Sequence, residues 1–328
     1  MPHTPHCIIP AAASAEPGCP QALAQLRLPH LGRLLARLAP VAQPALHTTE
    51  DTPHLPHELA LAQALGLPAA DGMLPWAAAH RVAQDHAANN TGWAYVTPCH
   101  WQVGTDHITL QEPEALGLDE AGSRALLAVV APWFAEDGIT LHYDQPGRWL
   151  AHGALLAHYA SPSLARVAGA DLRHWMQPVP AHITPTPAQQ ATRTLQRLHS
   201  EIQMLLYTHP FNDARTAQGL PPINAFWVHG AGALPPGWAP AAPLPTLHLE
   251  LLHALRQGGP AAWAQAWQAL DAGPLAALLA QAEEGAPLRL TLCSDHAART
   301  WHSAPIRLAT RIQRFFRPQR LSSVLEKL

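Results

Sequence analysis

The order of apolar and amphipathic segments is the feature that most limits how this chain can fold. Short apolar runs with strand-like composition occur at 139–144 ("ITLHYD"), 223–228 ("INAFWV") and 288–293 ("LRLTLC"). Segments with helical periodicity separate them, and the clearest is Gln189–Leu206. Its predicted apolar face carries Leu195, Leu198, Ile202 and Leu205. This alternation predicts an α/β fold with a mostly parallel sheet flanked by helices, in which ligands gather where strands end.

The length of 328 residues allows one large domain or two ordinary ones. Residues 177–190 contain four prolines and are the best candidate for a linker. We therefore predict an N-terminal α/β part at 1–176 and a C-terminal α/β part at 191–328. The alternative is a single interleaved domain.

Composition excludes several function classes. The single lysine, Lys327, argues against a P-loop, a Schiff-base lysine or an S-x-x-K pair. Neither a G-x-S-x-G elbow nor a G-x-G-x-x-G turn after a strand is present. A formal charge of −3 gives no strong nucleic-acid signal.

The cysteines and the apolar runs bear on compartment. Four cysteines without a C-x-x-C pair predict neither a zinc ribbon nor a disulfide framework. No uninterrupted apolar run approaches the roughly 20 residues of a membrane span. The first 20 residues lack the basic and apolar regions of a signal peptide. We expect a reduced, cytoplasmic protein.

Asp295 and His296 directly follow the apolar run at 288–293. A carboxylate and an imidazole at a strand end are suitable ligands for a divalent metal such as Mn²⁺, Mg²⁺ or Zn²⁺. The alternative, which the dipeptide alone favours, is a surface aspartate at a helix start, with Asp295 or Ser294 as the N-cap.

The segment 97–107 holds a second group of metal-ligand types. Cys99, His100, Asp106 and His107 meet if "WAYVTPCHWQVGTDHITL" forms two short strands around a Gly-Thr-Asp turn. With 22 histidines in the chain, chance groupings of this kind are expected. The alternative is a polar hairpin with Trp101 packed beneath it.

The segment Tyr207–Gly232, "YTHPFNDARTAQGLPPINAFWVHGAG", carries the densest set of hydrogen-bonding groups. Arg215 can bind phosphate or carboxylate with two hydrogen bonds, and Asn212 and Asn224 lie close to it in sequence. One interpretation is an anion pocket at the strand entry. The other is a helix C-terminus satisfied by Asn212, with Arg215 paired to Asp213 or exposed.

The C-terminal tail from Arg299 to Leu328 has seven basic residues and one acidic residue. Its predicted terminal helix places Leu308, Ile312, Phe315 and Phe316 on one face and Arg307, Arg311 and Arg314 around it. Such a helix can bind a protein partner, acidic lipid or nucleic acid. The alternative, a docked terminal helix with a solvated basic side, is favoured.

Several of these segments resemble one known family. "HPFNDARTAQGLPPINAFWVHGAG" resembles the "HPvN…R…G…PAN…W-l-G-x-G" segment of archaeal-type cofactor-independent phosphoglycerate mutases, members of the alkaline phosphatase superfamily. "GLDEAGSRALLAVVAPWFAEDGITLHYDQPGRWLAHG" is similar to the part that carries a substrate-side arginine, which falls at Arg148. "WAYVTPCHWQVG" resembles a strand with polar substrate contacts, and "LTLCSDHAARTW" a metal-binding Asp-His strand end. The matches span roughly residues 90–300.

The resemblance implies an alkaline-phosphatase-like core, with Arg148, Asn212, Arg215, Asn224 and His100 contacting a phosphorylated small molecule. The chain is also similar, over almost its whole length, to a bacterial family described as RpfE-type regulatory proteins.

The chain departs from the mutase pattern on the metal side. The mutases open with a strand that ends in a metal-binding Asp-Gly, whereas "CIIPAAAS" has no carboxylate before Glu16. The segment with the serine nucleophile is not recognisable either. The sequence thus predicts a mutase-like protein that is catalytically weak or inactive and regulatory. The alternatives are an active phosphotransferase or phosphatase using Asp295, His296, Asp106 and His107, and an interaction module acting through its tail.

Overall fold

The computed structural model describes residues 4–42, 45–69, 72–84, 91–177, 179, 184–304, 324–325 and 328. The chain divides into two compact units. The first unit comprises 1–51, 55–66 and 240–328, and the second comprises 52–54 and 67–239. The polypeptide therefore leaves the first unit and later returns to it, and the predicted linker at 177–190 lies inside the second unit.

A six-stranded sheet forms the centre of the first unit. Its strands are β1 (His6–Ile9), β2 (Leu38–Pro40), β3 (Leu46–His47), β10 (Thr246–Leu247), β11 (Arg289–Cys293) and β12 (Ala297–Ser303). The order is β10-β1-β11-β12-β2, and β3 pairs with β12. β1 is parallel to β10 and β11, whereas β12 is antiparallel to each of its neighbours.

The side chains of each strand alternate between the two faces of this sheet, and both faces are packed against other elements. Ile9, Leu290 and Leu292 pack in a cluster with Trp263 and Trp267. Ile8 and Cys293 point the other way and pack with Ala60. The helices of this unit are α1 (Cys19–Gln25), α2 (Pro29–Arg37), α3 (Pro56–Leu65), α9 (Glu250–Leu270) and α10 (Ala276–Glu283), with a π-helical turn at Asp271–Leu275.

The second unit has a four-stranded antiparallel sheet of order β7-β8-β4-β9. These strands are β4 (Trp93–Cys99), β7 (Thr140–Gln145), β8 (Arg148–His152) and β9 (Ala225–Gly232). A separate two-stranded ribbon joins β5 (Trp101–Val103) to β6 (Ile108–Leu110). The α-helices are α4 (Trp76–Ala83), α5 (Glu120–Glu136), α6 (Leu164–Val167), α7 (Pro187–Tyr207) and α8 (Pro210–Ala217). Four-to-five-residue 3₁₀ helices lie at Pro113–Leu116, Ala154–His158 and Leu172–Met176.

The two faces of this antiparallel sheet differ in chemistry. Val96, Trp149 and Phe226 point to one face and pack in the core with residues of α5 and α7, such as Phe134 and Leu198. The opposite face contacts α4 and carries most of the polar side chains of the sheet. The sequence therefore places the hydrophobic core on one side and leaves the other side for polar contacts.

Pairing of the described strands corrects one prediction. The sheets are mostly antiparallel, so the expectation of a mostly parallel sheet is wrong, although the mixed α/β class is confirmed. Consecutive strands such as β7 and β8 form a hairpin, and crossover helices do not join them. The strands expected at 139–144 and 288–293 are present within one residue, whereas the strand expected at 223–228 is β9, which begins at Ala225 and continues to Gly232.

Three further expectations concern the tail, the cysteines and the membrane. Leu308, Ile312, Phe315, Phe316, Arg307, Arg311 and Arg314 lie outside the described residues, and the tail prediction stays a prediction. All four cysteines are free and buried, which agrees with the prediction from their spacing that they form no disulfide framework. None of the helices within the described ranges is long and apolar enough to cross a membrane.

Candidate functional site

Arg148 begins β8 on the polar face of the second unit's sheet. Its Nε donates to Oδ2 of Asp144 at 2.8 Å, and its Nη2 forms an ion pair with the same oxygen at 2.7 Å. The guanidinium lies over the ring of Tyr95, 4.7 Å from the ring centroid. This cation–π contact and the ion pair fix the side chain, which remains about one-third exposed. Among the described residues, Nη1 has no hydrogen-bond partner and can donate to an anionic ligand.

Tyr95 is the centre of the polar face. Its hydroxyl donates to the backbone oxygen of Trp76 at 3.3 Å, where α4 begins. The imidazole of His229 lies 5.4 Å from the Tyr95 ring and that of His80 lies 5.9 Å from it, measured between centroids. Nε2 of His229 is also 3.1 Å from Oγ1 of Thr97. Arginine, tyrosine and two imidazoles from four elements therefore meet on this face.

Burial keeps His80 and His229 neutral at physiological pH. Desolvation, assisted by the charge of Arg148, lowers the pKa of His229 to about 3. The pKa of His80 is lowered chiefly by burial, and Asp144 opposes that shift. Burial raises the pKa of Tyr95 to about 12. The face thus offers a guanidinium that is held by the Asp144 carboxylate and lies beside a neutral phenol and neutral imidazoles, and such a setting suits one small anion.

The Asn212 side chain bonds to backbone groups at the end of α7 and before β9. Its Nδ2 donates to the backbone oxygens of Leu206 and Ile223, and its Oδ1 accepts from the Ile223 amide, all at 2.8–2.9 Å. Both amide hydrogens are therefore used. These contacts favour the helix-end interpretation, since Leu206 lies in the last turn of α7.

Arg215 is buried and bonds to backbone in the same way. Its Nε donates to the oxygen of Pro221 at 2.9 Å, and Nη2 donates to the oxygen of Leu116. Burial lowers its pKa. The expected pairing with Asp213 or exposure to solvent is not observed, because the guanidinium instead ties α8 to the Gly-Leu-Pro-Pro turn that follows it.

Asn224 and His100 join the start of β9 to the end of β4. The Asn224 side chain bonds both backbone groups of Trp101, accepting from its amide at 2.7 Å and donating to its oxygen at 3.0 Å. Nδ1 of His100 is 2.8 Å from the oxygen of Pro222 and donates to it. Four of the predicted site residues therefore form hydrogen bonds to nearby backbone groups: Asn212, Arg215, Asn224 and His100. A role for them in anion binding stays a prediction.

The predicted hairpin is observed, with Asp106 and His107 in the turn between β5 and β6. His107 Nδ1 lies 2.9 Å from Asp106 Oδ1, and both side chains are exposed. Cys99 is fully buried, and burial raises the pKa of its thiol. Trp101 is buried below the ribbon, as the alternative interpretation expected.

Asp295 lies in the turn between β11 and β12, so the helix start in the alternative interpretation is not observed. Its Oδ2 accepts from Ser14 Oγ at 2.9 Å and from the Ala15 amide at 2.7 Å, whereas His296 is exposed. Within the described ranges, no group of three or more His, Cys, Asp or Glu residues is placed to hold a metal ion. These donors do not fit a two-metal centre, and a single-ion role for Asp295 and His296 stays a prediction.

Of the predicted residues, only Arg148 belongs to the polar face. Sequence reasoning missed its neighbours His80, Tyr95, Asp144 and His229. Two signals were present in the sequence: His229 interrupts an apolar strand, and Asp144 lies four residues before Arg148 across a Pro-Gly turn. His80 gave no such signal, since it lies in an unremarkable alanine-rich helix.

Comparison with known proteins gives distant structural matches only. No protein-family model matches the chain, and no curated protein matches it. The structure is similar to that of PH0037 protein from Pyrococcus horikoshii, with 12% identity, a TM-score of 0.43 and coverage of 92% of this chain and 87% of the other. It is also similar to a cofactor-independent phosphoglycerate mutase from Thermoplasma acidophilum, with 11% identity, a TM-score of 0.39 and 99% coverage of both chains.

Proposed function

We propose that this protein binds a small phosphorylated carboxylate on the polar face around Arg148 and does not catalyse metal-dependent phosphoryl transfer. In this view the protein is mutase-like but catalytically weak or inactive, and it has a regulatory role that depends on binding its ligand. The observation that carries it is the Arg148 guanidinium, fixed by Asp144 and Tyr95 with one nitrogen left to donate.

The surroundings of Asp295 support the inactive part of the proposal. Phosphoryl transfer between two metals requires several anionic ligands to neutralise the attacking and leaving oxygens. The mutase pattern has an aspartate at the end of the first strand, whereas residues 10–15 after β1 include no carboxylate, and Ser14 and Ala15 of this stretch donate hydrogen bonds to Asp295. The Asp295 carboxylate is therefore paired with the Ser14 hydroxyl and the Ala15 amide, and neither group can supply the second anionic metal ligand that a two-metal centre requires.

Binding of 3-phosphoglycerate, measured by calorimetry, tests the ligand. We expect Arg148→Gln to weaken it at least about tenfold, since a hydrogen bond to a charged group contributes roughly 1.5–3 kcal/mol. Arg124→Gln is a matched control. Arg124 also pairs with a carboxylate, Glu120 at 2.8 Å, and lies 3.8 Å from the centroid of a tyrosine ring, that of Tyr143, but it belongs to α5. Its substitution should leave affinity unchanged.

Mutase turnover with added Mn²⁺, together with the metal content of the purified protein, tests the inactive part. We expect 3-phosphoglycerate to bind without conversion to the 2-isomer. Robust turnover with one or two bound metals would contradict inactivity. Equal affinity of wild type and Arg148→Gln, with both variants folded, would contradict the binding site.

A further inference from the structure

A cavity of about 210 Å³ lies in the second unit, and its lining includes neither Arg148 nor the side chains around it. Trp101, Tyr159, Trp175 and Trp227 form aromatic walls. Trp227 is fixed because its indole Nε1 donates to the backbone oxygen of Pro162 at 3.1 Å. The ring centroids of Trp101 and Trp227 are 6.4 Å apart and the rings are inclined by 58°. Rigid aromatic walls of this kind favour a flat, apolar ligand.

One face of α7 supplies the polar side of the cavity. The residues on this face are Thr192, Gln196, His199, Ser200 and Gln203. They follow helical spacing, and the neighbouring face of α7 packs Leu195, Leu198 and Ile202 into the core. The same helix thus presents apolar residues to the core and hydrogen-bonding groups to the cavity.

His199 provides a directed acceptor. The side chain is buried and its ring stacks on Phe226, with centroids 4.2 Å apart. Nε2 contacts the backbone oxygen of Phe226, and because a carbonyl only accepts, Nε2 carries the proton. Burial lowers the pKa of His199 to about 4, so the ring is neutral at physiological pH. Nδ1 is therefore an acceptor, and within the described structure no group donates to it.

The remaining polar groups are uncharged. Gln196 donates through Nε2 to the oxygen of Gln177 at 3.0 Å, which leaves its Oε1 as an acceptor. The amide of Gln203 is available to a ligand as both donor and acceptor. None of the described lining residues is acidic or basic at neutral pH, so the cavity has no preference for a charged ligand.

From this geometry we infer that the cavity is a second small-molecule site, which binds a flat, neutral heteroaromatic compound with a ring N–H. The ring system packs between the tryptophans, and the N–H donates to Nδ1 of His199. This site shares no residue with the proposed anion site around Arg148, so the two can be tested with separate variants.

Indole is a suitable probe, and benzofuran is the matched compound that lacks the N–H. Binding of each is measured by ligand-observed NMR titration against the full chain. Trp175→Ala removes a half-buried wall, and Thr192→Phe fills the cavity from α7. Trp238→Ala is the control, because Trp238 is also half-buried in the second unit but does not line the cavity.

We expect one indole to bind the wild type, and to bind Trp175→Ala and Thr192→Phe at least about tenfold more weakly. Trp238→Ala should bind indole as the wild type does. Benzofuran should bind at least about tenfold more weakly than indole, because it leaves the buried acceptor unpaired. The site is wrong if folded wild type fails to bind indole or if both cavity variants bind it normally. Equal affinities for indole and benzofuran would overturn the role of His199.

Discussion

Asn212 holds the end of α7 to the start of β9 with three hydrogen bonds to backbone. A buried asparagine of this kind replaces water for groups that no secondary structure satisfies. The polarity of the segment was visible in the sequence. The hydrogen-bond partners of its side chains were not visible in the sequence. For example, Arg215 donates to the backbone oxygen of Leu116, which lies 99 residues away. Sequence distance hides such a contact, and the chemistry of a hydrogen-bonding side chain suits a ligand and a backbone equally well.

Replacing Asn212 by alanine should lower the free energy of unfolding by about 3 kcal/mol, because it leaves the Leu206 and Ile223 backbone groups unpaired. Urea unfolding of the purified variant measures this change. Asp213→Ala is the matched control: Asp213 is the next residue of α8 and is exposed, so its loss should cost less than about 1 kcal/mol. Similar costs for the two variants would contradict the structural role of Asn212.

At the scale of elements, β9 shows which features a sequence pattern captures. The apolar run predicted the strand, and the helical spacing of Leu195, Leu198 and Ile202 predicted α7, although Leu206 is the buried residue at its end and Leu205 is only half-buried. The irregularity in β9 was not predicted. Its pairing with β4 shifts register between Trp93 and Tyr95, and Gly230 has a φ of +60° there.

The shift in register depends on the absence of a side chain at Gly230. A Cβ at this position would lie 2.9 Å from Cδ2 of Tyr95 and 3.2 Å from Cβ of Trp76. The glycine thus lets α4 and the Tyr95 ring approach the strand closely. The proposed anion site is therefore built on a backbone feature that the sequence shows only as Gly-Ala-Gly.

Gly230→Ala should destabilise the protein by roughly 2–3 kcal/mol and weaken binding of 3-phosphoglycerate, because it combines a left-handed φ with a clash against the ring below Arg148. Chemical unfolding and calorimetry provide the two measurements. Gly237→Ala separates the causes, since Gly237 has a φ of +72° with no atom within 4 Å of its added Cβ. It should cost about 1 kcal/mol and leave binding intact. Normal binding by a folded Gly230→Ala variant would argue against the Tyr95 platform.

At the scale of the whole molecule, the order of elements was easier to predict than their pairing. The chain contains both strands and helices, as the sequence indicated, but the strands follow one another in runs such as β4 to β6 and β7 to β8, and most strand pairs are antiparallel. The first unit pairs β1 with β11, which follows it by 280 residues, because the second unit is inserted between them. Local patterns carry no information about such long-range partners, so direction and unit boundaries required the structure.

Both units bury neutral histidines, and this links stability to pH. Burial lowers the pKa of His6, His57 and His199 to about 4, and that of His229 to about 3. Since these values lie below the unfolded value of about 6.5, the unfolded chain binds more protons between about pH 4 and 6.5. Stability should therefore fall as the pH drops through this window, with uptake of about one proton per histidine on unfolding near pH 5.

Calorimetric unfolding between pH 7 and 4.5 measures this slope. His229→Gln removes one titrating group, so its stability should depend on pH less steeply, by about one proton. Gln102→Ala, an exposed position in the same unit that does not titrate, should leave the slope unchanged. The ion pair of Asp171 does not mimic the effect: the Arg173 side chain lowers the pKa of Asp171, so its contribution to stability is lost only below this window. Constant stability from pH 7 to 5 would show that folding does not lower the pKa of these histidines.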